Sequence, residues 1–151
     1  MSHHIAVHGN SAVSDGSLTI QASGPSGAHI TAPVGSKFPH QGKVYFVFQN
    51  PPMHPDKTFD ITGLNVNVNT VMASFDQVDV YSGFNNIISL QSSQINPLTG
   101  DTVITNLSAI NLKETTAMMS PRAGLCVIYT ITFTKPTSSA NFGSLDIAYA
   151  P

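Results

Sequence analysis

The sequence predicts an all-β protein, a single antiparallel β-sandwich of jelly-roll type made of about ten short strands. Three observations carry that prediction. Almost every segment alternates apolar and polar residues with a period of two, or holds a short apolar run, as strands require. Turn residues recur between these segments: Asp15-Gly16, Gly24-Pro25-Ser26-Gly27, Pro51-Pro52, Ser82-Gly83, Asn96-Pro97 and Gly100-Asp101. No stretch of a dozen residues carries an apolar stripe of helical period.

In chain order, strands are expected at 4–9, 17–23, 28–34 and 43–49, and then at 62–69, 71–82 and 86–93. The last three are expected at 101–113, 124–134 and 143–150. The stretch 113–124 has room for one helical turn, which Pro121 and Gly124 would end quickly. There is no internal repeat and no linker, so residues 1–151 are read as one domain.

Two strands are informative in detail. In 124–134 the set Leu125, Val127, Tyr129, Ile131 and Phe133 makes the better core face, while Cys126, Ile128, Thr130, Thr132 and Thr134 turn polar toward the end. In 71–82 the apolar phase slips from odd positions (Val71, Ala73, Phe75) to even ones (Val78, Val80). Such a slip is what a β-bulge around Asp76-Gln77 would produce. Bulges re-aim side chains, which makes Asp76 a candidate site residue. The expected core also includes Phe46, Phe48, Leu64, Val66 and Val68.

Composition narrows the function. Charged residues are only 9% of the chain, against roughly 25% in an average soluble protein. The polar surface must therefore come mostly from Ser, Thr, Asn and Gln. With a net charge of −2 and its cations scattered from Lys37 to Lys135, the chain lacks the field that nucleic acid or an anionic membrane would need. No apolar run approaches a membrane span, and the start MSHHIAVHG lacks the pattern of a signal peptide. A cytoplasmic product without membrane insertion is expected, release by a non-standard route being the alternative. A neutral surface also repels its own copies weakly, which favours protein–protein contact.

Within the stretch Gly63–Val71, Leu64, Val66 and Val68 alternate with Asn65, Asn67 and Asn69, so three amides share one strand face. Asparagine is depleted in strands because its short amide competes for local backbone groups. An amide donates and accepts without a charge to desolvate, so the row suits sugar hydroxyls or a neighbouring subunit. The alternative is a plain solvated face.

Other constellations are sparser. Met1-Ser2-His3, or Ser2-His3-His4 after loss of Met1, places a histidine third from the free amine. An amine, two deprotonated amides and an imidazole form a square-planar set suited to Cu(II) or Ni(II), which makes His3 and His4 candidate ligands; ordinary surface histidines are the alternative. His4 and His8 share a face but lie about 13 Å apart along a strand, too far for one metal. Cys126 excludes an intramolecular disulfide and is expected to be a buried, inert thiol. Asp76 and Asp79 fall on opposite faces unless the bulge intervenes. No phosphate loop, nucleophile elbow or catalytic set is present, so no catalytic residue and no cofactor is expected.

The pieces AVHGN, VYFVFQNPP, LNVNV, ASFDQVDVYSG and GSLDIAYA, in that order, resemble an uncharacterised group of small bacterial proteins with a β-sandwich or jelly-roll look. His8-Gly9 and Val78 to Gly83 are the most specific pieces. The chain departs from that group in having no tryptophan and in carrying Ser82 where an aspartate is usual. The resemblance implies the fold and carries no activity.

These readings lead to a non-enzymatic structural or interaction module that forms homo-oligomers or larger assemblies through neutral polar strand faces. The alternative is a carbohydrate-binding, lectin-like module using the Asn row with nearby Tyr81 or Tyr45, its partner a neutral glycan.

Overall fold

Strand alternation sets the architecture. The computed structural model describes residues 3–22, 24–49, 59–92, 103–106, 118–119 and 124–150. The strands are β1 (His3–His8), β2 (Val13–Ser14), β3 (Thr19–Ala22), β4 (Ala28–Thr31), β5 (His40–Phe48) and β6 (Phe59–Val71). They continue as β7 (Ala73–Ser82), β8 (Asn85–Gln91), β9 (Val103–Asn106), β10 (Met118–Met119), β11 (Leu125–Phe133) and β12 (Ser139–Ala150). Single 3₁₀ turns at Gly9–Ser11 and Gly24–Ser26 follow β1 and precede β4.

The pairing is that of one long hairpin rolled up. From the tip at Gly83-Phe84 backward, β7 pairs with β8, β6 with β9 and β10, β5 with β11, and β4 with β12, all antiparallel. Gly83 has a φ of 59°, which a two-residue type II′ turn requires at that place. Pairing of β11 with β7 and of β12 with β6 then separates the roll into two sheets. One has seven strands, ordered β10-β6-β12-β4-β3, with β1 beside β12 and β9 beside β6; the other has five, ordered β2-β5-β11-β7-β8. This is the jelly-roll sandwich that the alternation predicts.

Each sheet buries one face. Leu64, Val66, Val68, Leu145 and Ile147 from the seven-stranded sheet meet Phe46, Val78, Val80, Val127 and Ile131 from the five-stranded one, all nearly inaccessible. At the centre Phe46, Phe75, Tyr129 and Phe142 pack with ring centroids 5.0–5.9 Å apart, several of them edge to face. Such aromatic pairs add about 0.5–1.5 kcal/mol each beyond the area they bury. The expected core residues are all buried.

The chain passes from the seven-stranded sheet to the five-stranded one at Met72, a left-handed corner with φ 48°. Its carbonyl accepts from Thr134 N at 3.2 Å, Thr134 Oγ1 at 3.0 Å and Ser138 Oγ at 2.7 Å. The bulge lies where the phase slip puts it: Thr130 faces Gln77 and Ile131 faces Phe75, leaving Asp76 as the extra residue.

β12 begins at Ser139, four residues before the expected start, because a second bulge hides its phase. Phe142 faces Val68 and Ser144 faces Asn67, with Gly143 left over. Ala140 and Phe142 therefore point inward at even positions, and Leu145 and Ile147 at odd ones. β2 and β10, two residues each, are too short to show periodicity. In 113–124, Met118–Met119 pairs with β6 as a strand rather than turning into a helix, and residues 113–117 and 120–123 lie outside the described residues.

Beside the second bulge, β1 and β4 share one edge of β12, β1 along 144–149 and β4 along 140–142. Gly9 and Gly27 sit at the handover. A Cβ on either would lie 1.7 or 1.9 Å from the Phe142 carbonyl oxygen, so only glycine lets both segments approach.

Candidate functional site

The outer face of the seven-stranded sheet is set by register. Because Leu64, Val66 and Val68 point into the core, Asn65, Asn67 and Asn69 point out, as the alternation predicts. On β12, Leu145 and Ile147 point in, so Ser144 and Asp146 share the outer face with the asparagines. On β1, Ile5 and Val7 pack on the core while His4, Ala6 and His8 face out.

Cross-strand pairing arranges these residues in rows. One row runs Ala6, Asp146, Asn65; the next runs His8, Ser144, Asn67. Between them lies a half-open depression of about 190 Å³ lined by Asn65, Asn67, Ser144 and Asp146 together with Ala6, Val66 and Leu145. Among the described residues no protein group hydrogen-bonds the side chains of Asn65, Asn67 or Ser144. Asp146 is held from one side by His4, whose Nδ1 lies 2.5 Å from Oδ2.

A third row continues beyond the bulge. His29 Nδ1 lies 2.6 Å from Asn141 Oδ1, and Asn141 faces Asn69 across β12 and β6. Among the described residues, Asn69 Oδ1 is buried with no hydrogen-bond partner.

Tyr81 and Asp76 belong elsewhere. They lie on β7, beyond the Met72 corner, and face out from the five-stranded sheet, so the structure separates them from the Asn row by the whole thickness of the sandwich. The same holds for Tyr45 on β5. The expected combination of Asn row and tyrosine is therefore corrected: these residues cannot share one site.

On that second face the polar groups are satisfied by one another. Asp76 Oδ2 accepts from Gln41 Nε2 at 3.0 Å and from Thr132 Oγ1. Asp79, 6% exposed, accepts from Gln77 Nε2 at 2.9 and 3.0 Å, Ser89 Oγ at 2.5 Å and Asn86 Nδ2 at 3.4 Å. The bulge thus brings Asp76 and Asp79 to the same face, each in its own network. Asp15 is held below the usual carboxylate range by Ser17, and burial together with Asp15 pushes the Tyr45 phenol up.

Cys126 faces out between Val47 and Tyr81 and is half-buried, not fully enclosed as expected. Burial pushes its thiol up, which suits an unreactive role. His3 stacks on Tyr149 with centroids 5.5 Å apart, while His4 turns to the other face. Met1 and Ser2, the remainder of the amino-terminal metal motif, lie outside the described residues. Among the described residues no three His, Cys, Asp or Glu side chains converge as a metal site.

Sequence reasoning found two walls of the depression, Asn65 and Asn67, and missed Ser144, Asp146 and Ala6. The signal for these was present, since Ser144-Leu145-Asp146-Ile147 and His4-Ile5-Ala6-Val7-His8 alternate cleanly. What a strand pattern does not encode is which strands become neighbours.

No family model and no curated protein matches the chain, which accords with its resemblance to an uncharacterised group. Among the solved structures similar to it in outline are the following three. The CBM36-1 domain of a multidomain xylanase from the hindgut metagenome of Trinervitermes trinervoides shares 11% identity over 96% of both chains, with a TM-score of 0.49. The carbohydrate-binding module CBM36 in complex with calcium and xylotriose shares 12%, over 90% of this chain and 98% of that one, with a TM-score of 0.40. The Stig cyclase Fisc from Fischerella sp. TAU shares 12% over the full chain and 76% of its own, with a TM-score of 0.43. At such identities no ligand and no activity passes from these proteins to this one.

Proposed function

We propose that this chain is a non-catalytic binding module whose ligand is a neutral, hydroxyl-rich glycan seated on the outer face of the seven-stranded sheet. One observation carries the reading. Asn65, Asn67 and Ser144 line a depression, and among the described residues nothing hydrogen-bonds their side chains, while Asp76 and Asp79 on the opposite face are saturated by neighbours. Amides and a hydroxyl with no Lys or Arg among the described lining residues suit an uncharged partner that both donates and accepts. The depression is smaller than the ~300 Å³ at which drug-sized sites begin, so it suits one ring of a larger chain.

Glycan-array screening followed by calorimetry tests this. Neutral oligosaccharides should bind, and Asn67→Ala, at an exposed position, should weaken them at least about fivefold, the loss of roughly one hydrogen bond. Binding that is indifferent to Asn67→Ala and Asn65→Ala would remove the site from consideration.

Homo-oligomerisation is the second reading, favoured by the exposed apolar side chains Val13, Val47 and Phe84 (54%, 61% and 104% exposed). Val13 and Val47 lie on the face opposite the asparagines, so assembly there would leave the depression open. Light scattering behind a sizing column tests it: a mass above 16.0 kDa supports assembly, and a concentration-independent monomer refutes it.

A further inference from the structure

We infer that the depression is a one-unit pocket opened by Ala6 and sorted by charge at Asp146, so that it admits a neutral sugar unit and turns away an acidic one. The inference rests on the glycan reading and adds its specificity. Ala6 stands between His4 and His8 on the outer face of β1. Both histidines are engaged sideways: His4 with Asp146 at 2.5 Å, and His8 through Nε2 with the Pro25 carbonyl at 3.2 Å and through Nδ1 with the Asn10 amide at 3.2 Å. Ala6 is therefore the one residue of β1 that lines the depression. Any larger residue at that position would fill the space the ligand needs.

Asp146 lies in the middle of the same row, between Ala6 and Asn65. Its side chain is 24% exposed, so its charge is partly shielded from water at the place where a ligand would sit. Asn65, Asn67 and Ser144 face it from the other walls and carry no charge, and among the described residues no Lys or Arg lines the depression. Among the described residues His4 is the one titratable group in contact with Asp146, and His8 stands beside Ser144 in the next row. A carboxylate accepts a sugar hydroxyl through a charge-assisted hydrogen bond, stronger than a neutral one. It repels a uronate, sialyl or sulfate group brought to the same place. Acceptance of hydroxyls and rejection of anions are thus two effects of one side chain.

The test compares neutral hexose and pentose oligosaccharides with uronic-acid and sialylated ones on one array, for the parent and two variants. Ala6→Leu should abolish retention of neutral glycans while the melting temperature holds, because the position is exposed on an edge strand. Asp146→Asn keeps the shape and an acceptor for His4 but removes the charge. It should raise the acidic-to-neutral binding ratio by about tenfold. Asn65→Asp adds a second carboxylate to the row and should lower that ratio, which secures the reading should Asp146→Asn fold poorly. A parent that binds acidic and neutral glycans alike, or a ratio unmoved by these variants, overturns the charge sorting while leaving the binding reading intact. Binding by no glycan of either kind overturns both.

Discussion

Replacing Gly9 by alanine should unseat β1 from β12. The new Cβ would lie 1.7 Å from the Phe142 carbonyl oxygen and 2.5 Å from its carbon, both rigid backbone atoms. A side-chain carbon needs about 3.0 Å, so the two backbones must part by about 1.3 Å. A ladder hydrogen bond stretched by that much from its usual ~2.9 Å is no longer a hydrogen bond. Each one lost costs about 0.5–1.5 kcal/mol, and the strain of overpacking adds about 1–3 kcal/mol. A net loss of about 2–4 kcal/mol follows, a large fraction of the 5–15 kcal/mol typical of a domain.

For a chain of this length a kilocalorie corresponds to about 2–4 °C, so the midpoint should fall by about 4–16 °C in a thermal melt followed by circular dichroism. Gly27→Ala meets the same oxygen at 1.9 Å and adds a φ of 97°, so it should be at least as damaging. Because both substitutions press on one atom, the double variant should lose less than their sum. Gly124 meets no described atom within 4 Å of its would-be Cβ and has no positive φ; Gly124→Ala should leave the midpoint unchanged or raise it slightly. A Gly9→Ala protein melting within about 1 °C of the parent would refute the close-approach argument.

Three further outcomes are expected. Met72→Gly relieves the left-handed corner at φ 48° and should stabilise by up to about 1 kcal/mol, seen as a higher urea midpoint; a drop would mean that the Met72 side chain matters more than its backbone strain. Asp79→Ala deprives Gln77 and Ser89 of their acceptor and should cost about 1–3 kcal/mol, with Asp79→Asn milder, both read from the same urea curves. Burial, and secondarily the Asp146 carboxylate, pushes the Tyr129 phenol well above its ordinary value. A raised folded-state value means stability that is complete below about pH 10 and is lost as pH rises beyond it, by up to about 1.4 kcal/mol per pH unit. Tyr129→Phe keeps the ring contacts with Phe46 and Phe75 and should flatten that alkaline loss in melts taken from pH 9 to pH 12; an unchanged slope would place the effect elsewhere.

How much was legible in the sequence depended on whether a signal was local. Alternation in Leu125 to Phe133 fixed which side chains face the core, because a period of two is a property of one strand. The bulge at Asp76 was legible for the same reason, as a phase slip between Phe75 and Val78. The equal slip between Phe142 and Leu145 was hidden because Asn141, Gly143 and Ser144 give too few apolar markers on either side of it. Neighbourhood was not legible at all. The three asparagines and Tyr81 lie within twenty residues of sequence, yet the corner at Met72 sends β6 and β7 to different sheets. Asp146, more than seventy residues away, lies directly beside Asn65.

The weakness of uncharged contacts ties the two readings together. A neutral hydrogen bond nets about 0.5–1.5 kcal/mol after water is displaced and one to a charged group about 1.5–3, so Asn65, Asn67, Ser144 and Asp146 would together supply about 3–7.5 kcal/mol. A millimolar dissociation constant already corresponds to about 4 kcal/mol, and ordering the ligand detracts further. On the glycan reading, one depression on one chain would therefore bind in the millimolar range. Retention on a glycan surface then requires several copies at once, where linked sites gain about 10²–10⁴ in avidity without any new contact. Assembly through the face carrying Val13 and Val47 would leave the Asn faces outward and supply that multiplicity. A tethered multimer of the chain should stay on a neutral glycan surface under a wash that removes the monomer, and Asn67→Ala should release the multimer far more than it weakens a single site. Equal retention of monomer and multimer would mean that one site suffices, and that its affinity comes from something other than these four walls.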